Sequence, residues 1–267
     1  MTHIKKISIL GSGNIGTAIY KGLTQSGELK PSDFILTRRR VELLEEYKQA
    51  GVQVTSDNLL AARQSDMILL TVLPSQLMKV LDEITPALDN SKVLVSVVTA
   101  YSIEEIAART GNQSPVVLAM PNTAIGVGES MTCLASSKQD LPSLEAVKGV
   151  FDLTGETLII PERLMGSATI LAACGIAFFM RYIRAASQGG IQVGFHASEA
   201  QLISAQTAKG AARLLLESGN HPETEIDKVT TPMGCTIAGL NEMEHNGLSS
   251  ALIKGIVTSY NELSKLK

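Results

Sequence analysis

Cysteine is scarce in this sequence, and its spacing argues against two classes of protein. The three cysteines, Cys133, Cys174 and Cys235, lie far apart and form no C-x-x-C pair. A disulfide framework or a cysteine-bound metal would need closely paired cysteines. We therefore expect ordinary thiols in a reducing compartment and no metal site.

Charged residues are also few. They make up 18% of the chain and the net charge is −3, whereas average proteins are charged at roughly a quarter of their residues. No part of the chain is strongly basic, which argues against binding to nucleic-acid phosphates and predicts no nucleic-acid partner. The shortage of charge indicates that some of the surface is buried at a subunit contact.

No apolar run has the length of a membrane segment. The N-terminal run meets a glycine within a few residues, too soon for a signal peptide. The longest run, residues 168–180, stops at Arg181 and is too short to cross a bilayer, so we interpret it as a buried helix. These absences predict a cytoplasmic protein with no membrane partner.

Up to residue 120, the sequence alternates regularly between two patterns. Short β-branched runs are typical of strands, and the amphipathic segments between them are typical of helices. Such repetition implies right-handed crossovers and a parallel sheet covered by helices on both faces. The predicted strands are 7–10, 34–37, 52–54, 67–72, 93–97 and 116–120, and the predicted helices are 14–26, 40–50, 75–84 and 103–109.

Beyond residue 120 the pattern changes. A helix–strand pair, 143–152 and 157–160, completes an α/β domain, which we place at 1–161 with a doubly wound, mostly parallel sheet. An all-helical domain, 162–267, follows it. Its first helix is rich in Ala and Gly and apolar on several faces, so we expect its own domain or, as the low charge favours, a partner subunit to bury it. The predicted helices are 162–193, 197–218, 223–229, 236–245 and 248–266.

A glycine motif directly follows the first predicted strand. The first glycine permits a tight turn, the second lets the backbone approach a diphosphate, and the third lets helix and strand pack closely. This is typical of a Rossmann-like dinucleotide-binding domain, and the position after the first strand disfavours the alternative of a merely structural turn. The motif comprises Gly11, Ser12, Gly13, Asn14, Ile15 and Gly16.

The end of the second strand distinguishes NAD from NADP. An NAD enzyme carries Asp or Glu there to bind the ribose 2′-hydroxyl. Here Thr37 is followed by Arg38, Arg39 and Arg40, and no acid occurs before Glu42. Guanidinium groups suit a 2′-phosphate, so the sequence predicts NADP(H). If the arginines only solvate the next helix, the missing acid still disfavours NAD.

Two further clusters carry uncharged hydrogen-bonding groups. Asn122 and Thr123 follow the sixth strand, at the sheet edge where ligands bind, and suit a nicotinamide amide or a small substrate; a simple turn is the alternative. Residues 231–236 (Thr-Pro-Met-Gly-Cys-Thr) lead into a helix whose free N–H groups, with the hydroxyls of Thr231 and Thr236, suit a carboxylate. An ordinary helix start capped by Thr236 is the alternative.

Over nearly its whole length the chain resembles the pyrroline-5-carboxylate reductase family. The resemblance rests on the glycine motif, Asn58, residues 120–123 with Gly126 and Gly128, residues 205–212 and residues 229–240. It implies NADPH-dependent reduction of the cyclic imine 1-pyrroline-5-carboxylate to L-proline. It also implies a homodimer or a larger homo-oligomer assembled through the helical domain.

The resemblance further implies roles for individual residues. Thr37, Asn58 and the loop of Val72 and Pro74 are similar to cofactor contacts of the family. Glu162 resembles a family glutamate at the substrate pocket. The implied carboxylate cradle is the backbone of Gly234, Cys235 and Thr236, and the Thr236 hydroxyl is the implied catalytic group near the ring nitrogen.

Several positions depart from the family pattern. The departures suggest a divergent member, and Met233 puts a side chain at the implied carboxylate cradle. They leave two alternatives open, which are reduction of a related cyclic imine and a non-catalytic NADPH-binding paralogue with a regulatory role. The departures are Leu73 for a lysine, Thr99-Ala100 for Ala-Gly, Leu118 for an arginine, Met233 for a glycine, and residues 172–177 (Ala-Ala-Cys-Gly-Ile-Ala) for Ser-Gly-Ser-Gly-Pro-Ala.

A missing acid agrees with imine chemistry. Reduction of a ketone develops an alkoxide and needs a nearby acid, commonly Lys or His. Residues 162–193 contain neither, which disfavours a β-hydroxyacid dehydrogenase. An imine is protonated before hydride arrives, so the protein need only bind, orient and exclude water.

Overall fold

The structure divides into two compact units. The computed structural model describes residues 4–137 and 140–263. Among the described residues, the first unit runs to Cys174 and also includes residues 260–263, and the second unit is Gly175–Ser259. The domain boundary that the sequence places before Glu162 stays a prediction.

Eight strands form one sheet in the first unit. They are β1 (Ile7–Leu10), β2 (Phe34–Thr37), β3 (Gln53–Thr55), β4 (Met67–Leu70), β5 (Val93–Ser96), β6 (Val116–Met120), β7 (Ser130–Ser136) and β8 (Gly155–Ile159). Their order in the sheet is β3-β2-β1-β4-β5-β6-β7-β8. Strands β1 to β6 run parallel, β7 runs antiparallel to β6, and β8 runs parallel to β7. The predicted doubly wound, mostly parallel sheet is confirmed.

The strands are buried on both faces because alternate residues face opposite sides. In β4, Ile68 and Leu70 join one apolar cluster, and Met67 and Leu69 join the other. Burial of each such side chain stabilises the fold by about 1.5–3 kcal/mol. The helices of this unit are α1 (Asn14–Gln25), α2 (Glu45–Gln49), α3 (Asn58–Arg63), α4 (Pro74–Ile84), α5 (Ile103–Arg109), α6 (Leu141–Phe151) and α7 (Met165–Ala168).

The register of β7 and β8 brings Glu162 to the functional edge of the sheet. Met120, the last residue of β6, pairs with Cys133, so β7 starts beyond the carboxyl end of β6. Ile159, the last residue of β8, pairs with Leu134, which itself pairs with Ala119. Although β8 runs opposite to β6, it therefore ends level with the carboxyl end of β6, and Glu162 follows at that edge.

Some predicted elements need correction. The predicted helix 40–50 is a 3₁₀ turn, Val41–Leu44, followed by the short α2. The structure adds α3, which starts where the Asp57 side chain accepts a hydrogen bond from the Leu60 N–H, and β7, a strand with few β-branched residues. Helix α6 begins before the predicted residue 143, and β8 ends before the predicted residue 160.

The second unit consists of helices, as predicted. Gly190 and Ala200 make a close contact there, since a Cβ added at Gly190 would lie 3.0 Å from the Ala200 Cβ. The predicted end of the last helix, residues 264–266, lies outside the described residues. The helices are α8 (Gly175–Gln192), α9 (Ala197–Ser218), α10 (Pro222–Val229), α11 (Cys235–His245) and α12 (Leu248–Leu263), of which the last continues into the residues of the first unit.

Helix α8 exposes much apolar surface in the single chain. Phe179 is 63% exposed and Met180 is 59% exposed. Burial within its own chain therefore holds for the start of the predicted helix, where Ala168 and Ile170 are buried, but is wrong for Phe179 and Met180, for which cover by a partner subunit stays open. By length and composition alone, the stretch Glu162–Gln192 is also long and apolar enough to cross a membrane.

Candidate active site

The loop between β1 and α1 forms a cradle that requires glycine at two of its positions, Gly11 and Gly16. Gly11 has φ +91°, and a Cβ there would lie 2.5 Å from the Val72 Cγ1. A Cβ at Gly16 would lie 2.9 Å from the Thr71 Oγ1. At Gly13 the nearest atom to an added Cβ is a carbonyl oxygen at 3.8 Å, so the space in front of it is open. Helix α1 has no side-chain cap, and its first N–H groups therefore fit a diphosphate.

The remaining motif residues divide between packing and exposure. Ser12 is fully buried, and its hydroxyl donates a hydrogen bond to the Ile9 carbonyl over 3.1 Å. Ile15 packs against the apolar core, whereas Asn14 is exposed. The Ser12 N–H also donates to the Thr37 carbonyl over 2.8 Å, so Ser12 is paired within the protein at both its hydroxyl and its backbone.

At the end of β2, polar groups connect to the glycine loop. The Arg38 guanidinium donates to the Ser12 carbonyl over 3.3 Å, and Arg39 is exposed. The Thr37 hydroxyl accepts from the Gly11 N–H over 3.2 Å and donates to the Asn58 side-chain oxygen over 2.7 Å. The structure thus brings the predicted residues 11–16, Thr37, Arg38 and Asn58 to one edge of the sheet.

The loop between β4 and α4 lies directly against the glycine loop. The Thr71 hydroxyl donates to the Leu10 carbonyl over 3.0 Å. Val72 occupies the space that a side chain at Gly11 would need, and Pro74 is the first residue of α4. Leu73, which stands where the family has lysine, is 66% exposed.

Asn122 follows β6, and its side chain is buried. Both the oxygen and the nitrogen of its amide are hydrogen-bonded to protein groups. Its oxygen accepts from the Ala124 N–H over 2.9 Å, and its nitrogen donates to the Ala172 carbonyl over 3.3 Å. Ala172 belongs to a π-helical segment, Thr169–Cys174. π-Helical turns are frequent at functional sites, and this one contains the start of the stretch that departs from the family pattern.

A cavity of about 240 Å³ opens at the carboxyl ends of β5 and β6. The loop after β5 contributes Thr99, Ala100 and Tyr101, β6 contributes Leu118, and Glu162 stands at the wall. The Glu162 carboxylate accepts a hydrogen bond from the Ile103 N–H over 2.7 Å, at the start of α5. Apolar atoms dominate the lining, and the departure Leu118 adds to them.

The sequence identified Thr99 and Ala100 only as departures from the family pattern and predicted no site residue in the loop after β5. Ala100 has φ +73°, which non-glycine residues seldom adopt. The Tyr101 hydroxyl donates to the Pro74 carbonyl over 3.2 Å and joins this loop to the neighbouring one. The position directly after a parallel strand, shared with the glycine motif and Asn122, is the signal that would have identified it.

In the second unit, residues 231–234 form a tight turn before α11. The Gly234 N–H donates to the Thr231 carbonyl over 2.9 Å, and a Cβ at Gly234 would lie 2.5 Å from the Thr231 Oγ1. Met233 has φ +60° and a fully exposed side chain. A proline followed by a positive φ is typical of a type II turn. The backbone therefore keeps a glycine-like conformation although Met233 replaces a glycine.

Helix α11 begins without a side-chain cap. Its N-cap is Gly234, and Cys235 and Thr236 are its first two residues. The alternative in which Thr236 caps this helix is therefore wrong. The uncapped N–H groups and the half-buried Thr236 stay available to a ligand.

Metal ligands do not cluster in the part of the chain that the structure describes. No group of three or more His, Cys, Asp or Glu side chains could hold a metal ion there. Cys133 is buried, and burial raises the pKa of its thiol.

Two family descriptions match the chain. Residues 6–100 match "NADP oxidoreductase coenzyme F420-dependent". Residues 162–266 match "Pyrroline-5-carboxylate reductase dimerisation".

Curated relatives and solved structures agree with these matches. Pyrroline-5-carboxylate reductase 2 of Dictyostelium discoideum is 46% identical over 98% of this chain and 93% of its own length. Pyrroline-5-carboxylate reductase 1 of the same organism is 47% identical over 97% of this chain, which spans only 49% of that longer protein.

The crystal structure of Plasmodium falciparum pyrroline carboxylate reductase with NADP bound has a TM-score of 0.89 at 25% identity, covering 100% of this chain and 99% of that one. The Coxiella burnetii enzyme has a TM-score of 0.89 at 26% identity and 99% coverage of both chains. The chain therefore belongs to the pyrroline-5-carboxylate reductase family.

Proposed function

We propose that this protein reduces 1-pyrroline-5-carboxylate to L-proline with NADPH. The observation that carries the proposal is the relative at 46% identity, which aligns with 98% of this chain and is itself a pyrroline-5-carboxylate reductase. The match of residues 6–100 to an NADP oxidoreductase family and the NADP-bound structure both support the predicted cofactor, NADP(H).

The residues at the sheet edge fit a nicotinamide dinucleotide phosphate. The open space in front of Gly13 and the uncapped start of α1 suit the diphosphate. Arg38, anchored on the Ser12 carbonyl, and Arg39 suit the 2′-phosphate. Thr37, Asn58, Val72, Pro74 and Asn122 are the further residues that we assign to cofactor binding.

The substrate end needs groups that bind a carboxylate and a ring nitrogen. When bound, NADPH supplies a hydride for the imine carbon. The N–H groups at the start of α11, around Gly234 and Cys235, would bind the substrate carboxylate, assisted by Thr231. The Thr236 hydroxyl would accept a hydrogen bond from the protonated ring nitrogen. Glu162, at the wall of the cavity after β5 and β6, is a further residue that we assign to substrate binding.

An imine reductase needs no strong acid beside the reacting carbon. The nitrogen of a cyclic imine is protonated before reduction, so reduction forms a neutral amine rather than an alkoxide. The cavity after β5 and β6 is mostly apolar, which suits exclusion of water from the reaction. Met233 leaves the turn before α11 in a glycine-like conformation, so this departure keeps the backbone that a catalytic role requires.

A homodimer or a larger homo-oligomer is the assembly that we assign to the protein. The dimerisation family covers residues 162–266, and α8 exposes Phe179 and Met180 in the single chain. A second copy would remove this apolar surface from water. We place the enzyme in the cytoplasm.

The decisive experiment follows the loss of NADPH absorbance with purified protein and 1-pyrroline-5-carboxylate, with NADH in parallel. The matched variants are Thr236→Ala, which removes the hydroxyl, and Thr236→Ser, which keeps it. We expect turnover that prefers NADPH, that falls sharply in Thr236→Ala and that largely recovers in Thr236→Ser.

Two other outcomes would point elsewhere. Turnover of a different cyclic imine but not of 1-pyrroline-5-carboxylate would assign a related imine as substrate. NADPH binding without turnover of any cyclic imine would indicate the non-catalytic paralogue. Either result would refute the proposed reaction.

A further inference from the structure

A series of hydrogen bonds leads from the glycine loop to a carboxylate at the end of α4. The Gly11 N–H donates to the Thr37 hydroxyl over 3.2 Å, and that hydroxyl donates to the Asn58 oxygen over 2.7 Å. The Asn58 amide nitrogen then donates to the Glu83 carboxylate over 2.8 Å. Residues from four separate segments are thereby linked at the edge that we assign to the cofactor.

Glu83 fixes the orientation of the Asn58 amide. An ionised carboxylate only accepts hydrogen bonds, so it requires the amide nitrogen to face it. A flipped Asn58 would place its oxygen against the Glu83 carboxylate, which is repulsive. The Asn58 oxygen is consequently held towards Thr37, and one amide hydrogen remains for another partner.

Glu83 also brings a negative charge to the place where NAD enzymes carry an acid. In those enzymes the acid stands at the end of the second strand and binds the ribose 2′-hydroxyl. Here Thr37 occupies that position, but the Glu83 carboxylate lies only one side chain away, through Asn58. A carboxylate at this distance repels a 2′-phosphate, whereas a 2′-hydroxyl carries no charge to repel.

The charge of Glu83 is not neutralised by an ion pair in the described part of the chain. None of the ion pairs there involves Glu83. Its neighbour Asp82 differs, because it pairs with Arg109 of α5. The two adjacent acids of α4 therefore face different surroundings. Asp82 serves as the control for the loss of a negative charge at this end of the helix.

We propose that Glu83 is a positioning and specificity-determining residue for the cofactor. Through Asn58 it orders the ribose end of the site, and by its charge it moderates the preference for NADPH over NADH. The inference rests on the proposed function, since it takes the glycine motif to bind a nicotinamide dinucleotide.

The test measures binding without turnover, by isothermal titration calorimetry with NADP⁺ and with NAD⁺. Glu83→Gln keeps a hydrogen-bond acceptor for Asn58 but removes the charge. We expect it to bind NADP⁺ about two- to fivefold more tightly at low salt, with NAD⁺ affinity unchanged. High salt should reduce this gain in NADP⁺ affinity, because it screens exposed charges.

Two further variants separate the charge from the hydrogen bond. Glu83→Ala also removes the acceptor, so Asn58 loses its fixed orientation and we expect weaker binding of both dinucleotides than in Glu83→Gln. Asp82→Asn removes a charge one residue away, and we expect it to leave the ratio of NADP⁺ to NAD⁺ affinity unchanged. Thermal unfolding without cofactor checks that all the variants are folded.

The outcomes distinguish this inference from the function on which it rests. If the unaltered protein binds NADP⁺ but Glu83→Gln keeps its ratio of affinities, the inference is overturned and the proposed function stands. If Asp82→Asn shifts the ratio as much as Glu83→Gln, a general charge effect replaces the specific one and the inference is overturned as well. If the unaltered protein binds neither dinucleotide, the proposed function fails and this inference with it.

Discussion

The side-chain nitrogen of Asn122 donates a hydrogen bond to the carbonyl oxygen of Ala172, over 3.3 Å. This bond joins the loop after β6 to the π-helical segment Thr169–Cys174. The two positions are 50 residues apart in the sequence. Asn122 thus acts as a structural link as well as the cofactor contact that we propose.

Removal of the Asn122 side chain should destabilise the protein. Asn122→Ala loses the bonds to Ala172 and to the Ala124 N–H and leaves buried groups unpaired, which costs about 1–3 kcal/mol. Urea unfolding would measure this loss of free energy. Thr123→Ala alters the exposed neighbour and should change stability by less than about 0.5 kcal/mol. Equal stability of the two variants would contradict the structural role.

Substitutions at two glycines of the motif should distinguish an effect on stability from an effect on cofactor binding. Gly16→Ala puts a Cβ 2.9 Å from the Thr71 Oγ1 and 3.0 Å from the Ile9 Cγ2, and such overpacking costs about 1–3 kcal/mol. Gly13→Ala meets no atom closer than 3.8 Å, so the fold should tolerate it while the methyl group enters the cradle. Thermal unfolding and NADP⁺ titration would measure both effects. Unimpaired NADP⁺ binding by Gly13→Ala would exclude this cradle as the diphosphate site.

Met233 should tolerate glycine and reject a β-branched residue. A side chain in the left-handed region costs roughly 1–2 kcal/mol, and glycine avoids this cost but adds freedom to the unfolded chain. We expect Met233→Gly to retain activity and to match or slightly exceed the unaltered stability. Met233→Val should be less stable than both. A large loss of 1-pyrroline-5-carboxylate turnover in Met233→Gly would instead assign the methionine side chain a direct role.

Cys133 should resist alkylation in the folded protein. Its burial raises the pKa of the thiol, so little reactive thiolate forms near neutral pH. Because the folded state favours the protonated thiol, its contribution to stability is complete below the ordinary thiol pKa. That contribution declines as the pH rises through the raised value. Mass spectrometry after iodoacetamide treatment, with and without urea, would check this. Equal labelling of Cys133 in both conditions would contradict it.

The sequence predicted best those elements whose ends carry local signals. Strands β1, β2 and β6 and helices α5 and α9 have the predicted bounds, because β-branched runs, a Ser102–Glu105 capping box or the C-terminal Gly219 mark them. Helix α3 escaped prediction because it is short and depends on the Asp57 cap. Strand β7 escaped prediction because its residues have weak strand propensity, and it is the pairing with β6 that holds this segment as a strand.

In the candidate site, too, residues with a local sequence signal were predicted and residues that depend on distant contacts were not. The glycine motif and the arginines after β2 are contiguous in sequence, so their pattern identifies them. Tyr101 and Glu83 act through partners 27 and 25 residues away in the sequence. No spacing rule predicts such contacts, since they depend on how neighbouring loops and helices of the folded sheet meet.

Ala100 and Met233 both keep a backbone conformation that glycine adopts most easily. The family that the chain resembles has glycine at both positions, and here the turns keep the conformation that glycine suits although other residues form them. A search for relatives by the literal Pro-Gly-Gly string would pass over this chain, although its backbone at Met233 still takes the left-handed turn. A comparison of main-chain φ angles would find the turn that a comparison of residue letters misses.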